Sequence, residues 1–274
     1  MTSASTSAVA PLARRLRAPS PVGLVLPVAL VAVWAAVTRL GWVSPQVLPS
    51  PFQVASDLYQ LAVSGKLTGH VVATLQRVAL GFAFGAGAAT LAGALTGYSP
   101  RWRAFLDPTL QALKAVPSLA WVPLFILWFG IFETSKVALI ATGVFFPIYL
   151  NLMTGIRNVD RKLVEVGLIN NLGPLALVRR ILAPAAAPAY FAGLRTGLAV
   201  GWMFVIAAEL MGASRGLGFL MLDSEMTGRP SVIMGALILF ALLGKTSDAA
   251  LVAIERRCLA WTDDLATLQS RRTS

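Results

Sequence analysis

Few residues in this sequence have the types and spacing that chemistry needs. His70 is the single histidine and Cys258 the single cysteine, so zinc clusters, Ser-His-Asp triads and internal disulfides cannot be built. Glu209 is the one acid well inside an apolar stretch, and ionisable groups in such surroundings are costly and often functional. Arg195 lies about 21 Å away along a helix axis, too far to pair with it. A functional and a structural role for Glu209 both remain open.

A tripeptide near the C-terminus resembles the end of a phosphate-binding loop. Gly244–Thr246 reads GKT. The full motif requires another glycine five positions before Gly244, and it follows a strand. Leu239 occupies that position, and the surrounding residues are those of an apolar helix. The sequence therefore predicts no nucleotide site and no ATPase activity in this chain.

The stretch 165–184, EVGLINNLGPLALVRRILAP, lies between two long apolar runs. Glu165 is placed near the start of a short helix, where a negative charge suits the helix dipole. Asn171 and Gly173 tolerate positive φ, so we expect the chain to turn there. Pro184 is expected to end a second helix. This pattern predicts a helix–turn–helix with an exposed apolar side, which indicates a docking site. A solvated linker or an interfacial hairpin is the alternative.

The composition shows which kind of element must position these residues. The chain is 57% hydrophobic and 13% charged, with mean hydropathy +0.73, whereas soluble domains are about 25% charged. Its apolar runs approach the roughly 20 residues that cross a bilayer. We predict an all-α integral membrane protein with six transmembrane helices. The runs are 22–38, 78–100, 115–132, 137–156, 181–208 and 230–254.

Positive charge is distributed unevenly between the two sides of these spans. The formal net charge is +11, and most basic residues fall on one side if the N-terminus is cytoplasmic. This is the positive-inside bias, and it predicts that both termini are cytoplasmic. Nucleic-acid binding would instead need a soluble basic face with interspersed aromatic residues. We divide the chain into a disordered tail (1–20), a membrane domain (21–254) containing a cytoplasmic segment (157–184, the elbow from here on), and a C-terminal tail (255–274).

Small residues recur at every fourth position in two of the predicted spans. Such stripes allow close approach of helix backbones within lipid. They predict tight helix packing, without indicating whether the partner helix belongs to the same chain. The first stripe is Gly81, Gly85, Ala89, Gly93 and Gly97, and the second is Ala185, Ala189, Gly193, Gly197 and Gly201.

The elbow resembles the EAA loop of permease subunits from binding-protein-dependent ABC importers. The family pattern is E-A-A, three residues, G, nine residues, and I-x-L-P. Counted from Glu165, this sequence has Ile181 and Pro184 in register. It departs from the pattern at four positions, which are Val166, Gly167, Asn171 and Ala183.

The resemblance extends over nearly the whole chain and is closest to the nitrate/sulfonate/taurine branch. It implies a type I permease fold, a homodimer in the bacterial inner membrane, and alternating access driven by a separate ATP-binding subunit that holds ATP and Mg²⁺. It also implies a periplasmic solute-binding protein, a small anionic solute such as a sulfonate, taurine or nitrate, and no cofactor or catalysis in this chain. The stretches that carry it are 48–54, 70–82, 115–130, 133–136, 145–151, 193–210 and 216–224.

The resemblance implies which residues couple the ATPase to the permease, and three residues of the fifth span are candidates for the translocation pathway, with helix packing as the alternative for each. An ion-driven secondary transporter and a membrane scaffold that moves nothing are the alternatives to this function. The coupling set is Glu165, Gly167, Asn171, Gly173, Ile181 and Pro184, and the candidates for the translocation pathway are Trp202, Met203 and Glu209.

Overall fold

The computed structural model describes residues 21–261, and every regular element in that range is helical. The predicted all-α fold is confirmed. The predicted tail 1–20 and positions 262–274 lie outside the described residues. The helices are α1 (Pro21–Arg39), α2 (Pro51–Val63), α3 (Lys66–Tyr98), α4 (Pro100–Ala115), α5 (Val122–Phe129), α6 (Glu133–Arg157), α7 (Arg161–Ile169), α8 (Pro174–Leu177), α9 (Ala183–Leu210), α10 (Leu217–Met226) and α11 (Pro230–Cys258).

Four helical stretches in the described range are long and apolar enough to cross a membrane. They are α3, α6, α11 and the continuous helix Pro174–Leu210 that includes α8 and α9. A fifth crossing results if α4 and α5 together form one broken span. The helix α1 is apolar but shorter. The fold is that of a multi-pass membrane protein, while the count of six spans and the cytoplasmic termini stay predictions.

The predicted third span, 115–132, is not one straight helix. The chain leaves the helical region at Val116 (ψ 123°) and resumes through a short 3₁₀ turn, Ser118–Trp121. The two helical pieces meet at 87°. Pro117 explains the break, because the residue before a proline is pushed towards extended backbone. The eight residues of α5 are only about 12 Å long, so this segment cannot cross the membrane alone.

The helix α6 lies between α3 and α9 and forms the centre of the bundle. The glycines of α3 face α6: a Cβ on Gly85 would lie 2.5 Å from the Ala141 carbonyl oxygen, and one on Gly97 would lie 2.9 Å from Ile156 Cβ. The stripe of α9 contacts the opposite face of α6, where Gly197 meets Ile148. Both predicted stripes therefore pack within one chain, against the same helix.

Replacing Gly85 by alanine should destabilise the bundle by about 1–3 kcal/mol, the cost of overpacking. The added methyl would meet Ala141 backbone, which cannot move aside as a flexible side chain can. Gly87→Ala is the matched control, because nothing lies within 4 Å of that position. The control should be neutral or slightly stabilising, since alanine favours helices. Thermal melting of both variants in detergent measures this, and equal midpoints would contradict the packing described.

Candidate coupling elbow and polar cluster

The first half of the elbow is α7, which begins at a defined cap. Asp160 is the N-cap residue, and its carboxylate accepts a hydrogen bond of 2.9 Å from the Lys162 backbone N–H. Glu165 lies in the middle of α7 and forms an exposed ion pair of 3.0 Å with Arg161, one turn earlier. The expectation that Glu165 interacts with the helix dipole is therefore wrong, because Asp160 holds that position.

The turn of the elbow is built on Asn171. Its φ is +53°, and the chain reverses through bonds from Leu172 N–H to Gly167 C=O (3.0 Å) and from Asn171 N–H to Leu168 C=O (2.9 Å). This pair of bonds is the Schellman motif that ends many helices. The predicted turn at Asn171 is confirmed. Gly173 has φ −64° and serves as the N-cap of α8, so its tolerance of positive φ is not used.

The two halves of the elbow meet over Gly167, which is buried. A Cβ built there would lie 2.6 Å from Ile181 Cδ1 and 2.7 Å from Leu177 Cδ1. Leu172 lies against the same position at 3.5 Å. The structure thus brings Gly167 and Ile181 of the predicted coupling set into contact. The absence of a side chain at Gly167 lets Ile181 and Leu177 rest directly on the α7 backbone.

Pro184 does not end a helix, contrary to the expectation. The chain is helical without interruption over Pro174–Leu210. A π turn, Val178–Leu182, precedes the proline, and Ala183 N–H donates to Val178 C=O. Proline lacks an N–H and its ring crowds the preceding turn. The wider π turn accommodates that loss, so the elbow continues directly into α9.

Apolar side chains remain exposed on the outer surface of the elbow. Val166 is 54% exposed, Ile169 78% and Leu175 81%. They lie on α7 and α8, near the exposed Glu165. This arrangement agrees with the expected apolar side, and contiguous exposed apolar surface marks contact sites for other molecules.

Comparison with known proteins identifies the class of this chain. Residues 81–259 match the family described as the binding-protein-dependent transport system inner membrane component. The chain belongs to this family. It is an inner-membrane permease component, and it is called the permease below.

The permease is similar over most of its length to three proteins that are named for transport. SsuC of Bacillus subtilis (strain 168), named as an aliphatic sulfonates transport permease, is 41% identical over 239 residues, 87% of each chain. SsuC of Escherichia coli (strain K12) is 39% identical over 86% of this chain and 90% of its own. TauC of E. coli (strain K12), a taurine transport system permease, is 32% identical over 85% and 86%. These matches confirm the resemblance to the sulfonate/taurine branch.

The three pathway candidates lie in different surroundings on α9. Trp202 is 8% exposed, and its indole N–H donates to Ser247 Oγ on α11 at 2.9 Å. Met203 is 69% exposed and faces away from the bundle. Glu209 is fully buried. The three side chains do not converge within one chain, and their part in a pathway stays a prediction.

Glu209 belongs to a polar cluster at the end of the permease opposite the elbow. Its Oε1 accepts hydrogen bonds of 2.8 Å from Thr74 Oγ1 and from Arg77 Nη1. Its Oε2 accepts one of 2.7 Å from the Gly218 backbone N–H. Gly216, with φ +125°, lies against the same carboxylate. Glu209 thus ties α3, α9 and the start of α10 together.

Arg77 is the residue that the sequence reasoning did not find. Its guanidinium also binds Glu133 through two hydrogen bonds, Nε to Oε2 at 2.6 Å and Nη2 to Oε1 at 2.8 Å. A further bond of 2.6 Å reaches the Arg215 carbonyl. One signal was available: Arg77 and Glu209 are opposite charges near the same predicted membrane face, each next to an apolar run. Among the described residues no cluster of His, Cys, Asp and Glu could hold a metal ion.

Proposed function

We propose that the permease imports small sulfonates through the membrane, in a complex whose energy comes from a separate ATP-binding subunit. The observation that carries the proposal is the identity of 41% and 39% to two proteins named as sulfonate permeases, over 86% or more of this chain. ATP and Mg²⁺ would bind to the partner subunit. The permease itself breaks no bond and would need no cofactor.

We propose that the ATP-binding subunit docks on the apolar side of the elbow. The elbow joins the end of α6 to the start of α9, two helices that pack against each other at the bundle centre. Because Pro174–Leu210 is one continuous helix, a displacement of α8 moves the whole of α9. The contact of Ile181 and Leu177 with Gly167 joins α7 to this movement. Such a two-helix lever suits alternating access, in which packed elements switch between discrete arrangements.

We propose that two copies of the chain enclose the pathway. The support is a charged group on an open face of α9. Arg195 forms an ion pair of 3.0 Å with Asp248 on α11, and these side chains are 43% and 31% exposed. Charged groups within membrane helices face protein or water rather than lipid. A second copy or an aqueous pathway would therefore cover this ion pair. A solute-binding protein would deliver the sulfonate at the opposite end from the elbow.

Uptake of a radiolabelled sulfonate in a strain lacking the chain, with and without the gene restored, tests the proposed function. We expect uptake to require the gene, to stop when cellular ATP is depleted, and to persist when a protonophore removes the ion gradient. The chain, carrying a C-terminal tag, should also co-purify with an ATP-binding subunit. Uptake that survives ATP depletion but fails with the protonophore would instead identify a secondary transporter. No transport defect on deletion would identify a scaffold.

A further inference from the structure

A cleft of about 470 Å³ opens at the end of the permease that carries Arg77. The first turns of α3 form one wall, with Val72 and Leu80 as apolar surface, and the rim carries Glu133 and Arg215. This volume lies in the range of small-molecule sites, which combine apolar walls with a few convergent polar groups. The cleft is called the Arg77 cleft below.

The charges around the Arg77 cleft favour an anion. Its cations are Arg77, Arg215 and the adjacent Lys136, and its carboxylates are Glu133 and Glu209. The balance is one surplus positive charge. The exposed Arg215 side chain has no ion pair or hydrogen bond with any residue that the structure describes. A guanidinium presents paired N–H groups that match the oxygens of a carboxylate, phosphate or sulfonate.

Glu133 occupies the position that such an anion would take. The Arg77 side chain is only 5% exposed and is bound by Glu133, whose own side chain is 62% exposed. Glu133 also lies 3.6 Å from Lys136 Nζ. It can therefore leave Arg77 without losing every cationic partner. Glu209 holds Arg77 from the other side at 2.8 Å, so the guanidinium would stay in place during the exchange.

We propose that the Arg77 cleft is a receiving site for the solute, in which a monoanionic sulfonate displaces Glu133 from Arg77 and is held on its other side by Arg215. The alkyl part of the solute lies against Val72 and Leu80. This inference rests on the proposed function for the identity of the anion. The cleft is at the end opposite the elbow, which is where an importer receives its solute. In this proposal the permease itself binds the charged group of the solute when the solute first arrives.

Binding of ethanesulfonate to the permease complex in lipid nanodiscs, measured by calorimetry, tests the proposal. Glu133→Gln removes the competing charge and should tighten binding about threefold to fivefold. Arg215→Gln should weaken binding about tenfold, the effect of losing one charged hydrogen-bond donor. Lys66→Gln is the matched control, since it removes an exposed cation from the same end of α3 outside the cleft. It should leave the affinity unchanged.

The possible results separate this proposal from the proposed function. The cleft assignment is overturned if Glu133→Gln and Arg215→Gln both keep the wild-type affinity. It is also overturned if Lys66→Gln lowers the affinity as much as Arg215→Gln does. Absence of ethanesulfonate binding in the wild type and in Glu133→Gln also overturns it. If cells still take up sulfonate in those cases, the proposed function stands without the cleft. If cells take up no sulfonate, the proposed function itself fails.

Discussion

Gly167→Asp is expected to abolish sulfonate uptake while the permease still inserts in the membrane at normal levels. The new carboxylate would enter the apolar contact between Ile181, Leu177 and the α7 backbone, where a Cβ alone lies within 2.7 Å of both side chains. A charge without a partner is not tolerated there, so α8 must move off α7. Insertion should be unaffected, because the contacts of Gly167 lie within the elbow and not between the membrane-spanning helices.

The control for this prediction is Gly167→Ala. Its methyl meets only the flexible ends of Ile181 and Leu177, which can rotate aside at small cost, so we expect most of the uptake to remain. Immunoblots of membranes establish the amount of each variant, and co-purification with the ATP-binding subunit measures docking. The aspartate variant should lose that subunit and the alanine variant should retain it. Normal uptake by Gly167→Asp would contradict the coupling role of the elbow.

The sequence predicts those features of this fold that depend on local chemistry. Apolar runs locate α1, α3, α6, α9 and α11, because a helix that crosses lipid needs apolar side chains along its whole length. Asn171 marks the turn of the elbow because few residues adopt positive φ. Small-residue stripes indicate close packing. The stripes do not identify the partner helix. That helix is α6, which contacts them with large side chains such as Ile140 and Ile148, and large apolar side chains occur on every span.

Rules for single residues do not predict features that depend on the backbone of a neighbouring turn. Pro184 predicts a helix end, yet the π turn Val178–Leu182 just before it supplies the missing space. A single sequence has no pattern that indicates a π turn. Similarly, the apolar run 115–132 looks continuous by hydropathy, but Pro117 breaks the backbone within it. In both cases the backbone around a proline, rather than the average apolarity of the run, decides the result.

Long-range polar contacts are the part of the candidate site that the sequence could not supply. The partner of Glu209 is Arg77 on α3, which is 132 positions away in the sequence. Arg195 is much closer in the sequence, on the same helix as Glu209. Arg195 instead pairs with Asp248 on α11. Knowing that α3 and α9 run in opposite directions beside α6 is necessary to bring Arg77 to Glu209, and that follows only from the packed structure.

The buried cluster leads to the second large effect. Glu209→Gln is expected to lower the free energy of unfolding by about 3 kcal/mol, since breaking a buried ion pair by removing one charge costs about this much. A glutamine amide can still accept from Thr74 or Arg77 through its oxygen. Its NH₂ group would then face the Gly218 N–H, which loses its acceptor. Buried donors without acceptors are costly.

Glu225→Gln is the control for this second prediction, because it makes the same chemical change at an exposed position of α10. Melting midpoints of both variants in the same detergent should separate by several degrees, with the Glu209 variant lower. The experiment also decides between the two roles that the sequence left open for Glu209. If Glu209 holds three elements together, neutralising it lowers the stability of the protein. A group that contacts the solute in a pathway would change uptake while the melting midpoint stays at the wild-type value, and that result would contradict the structural role.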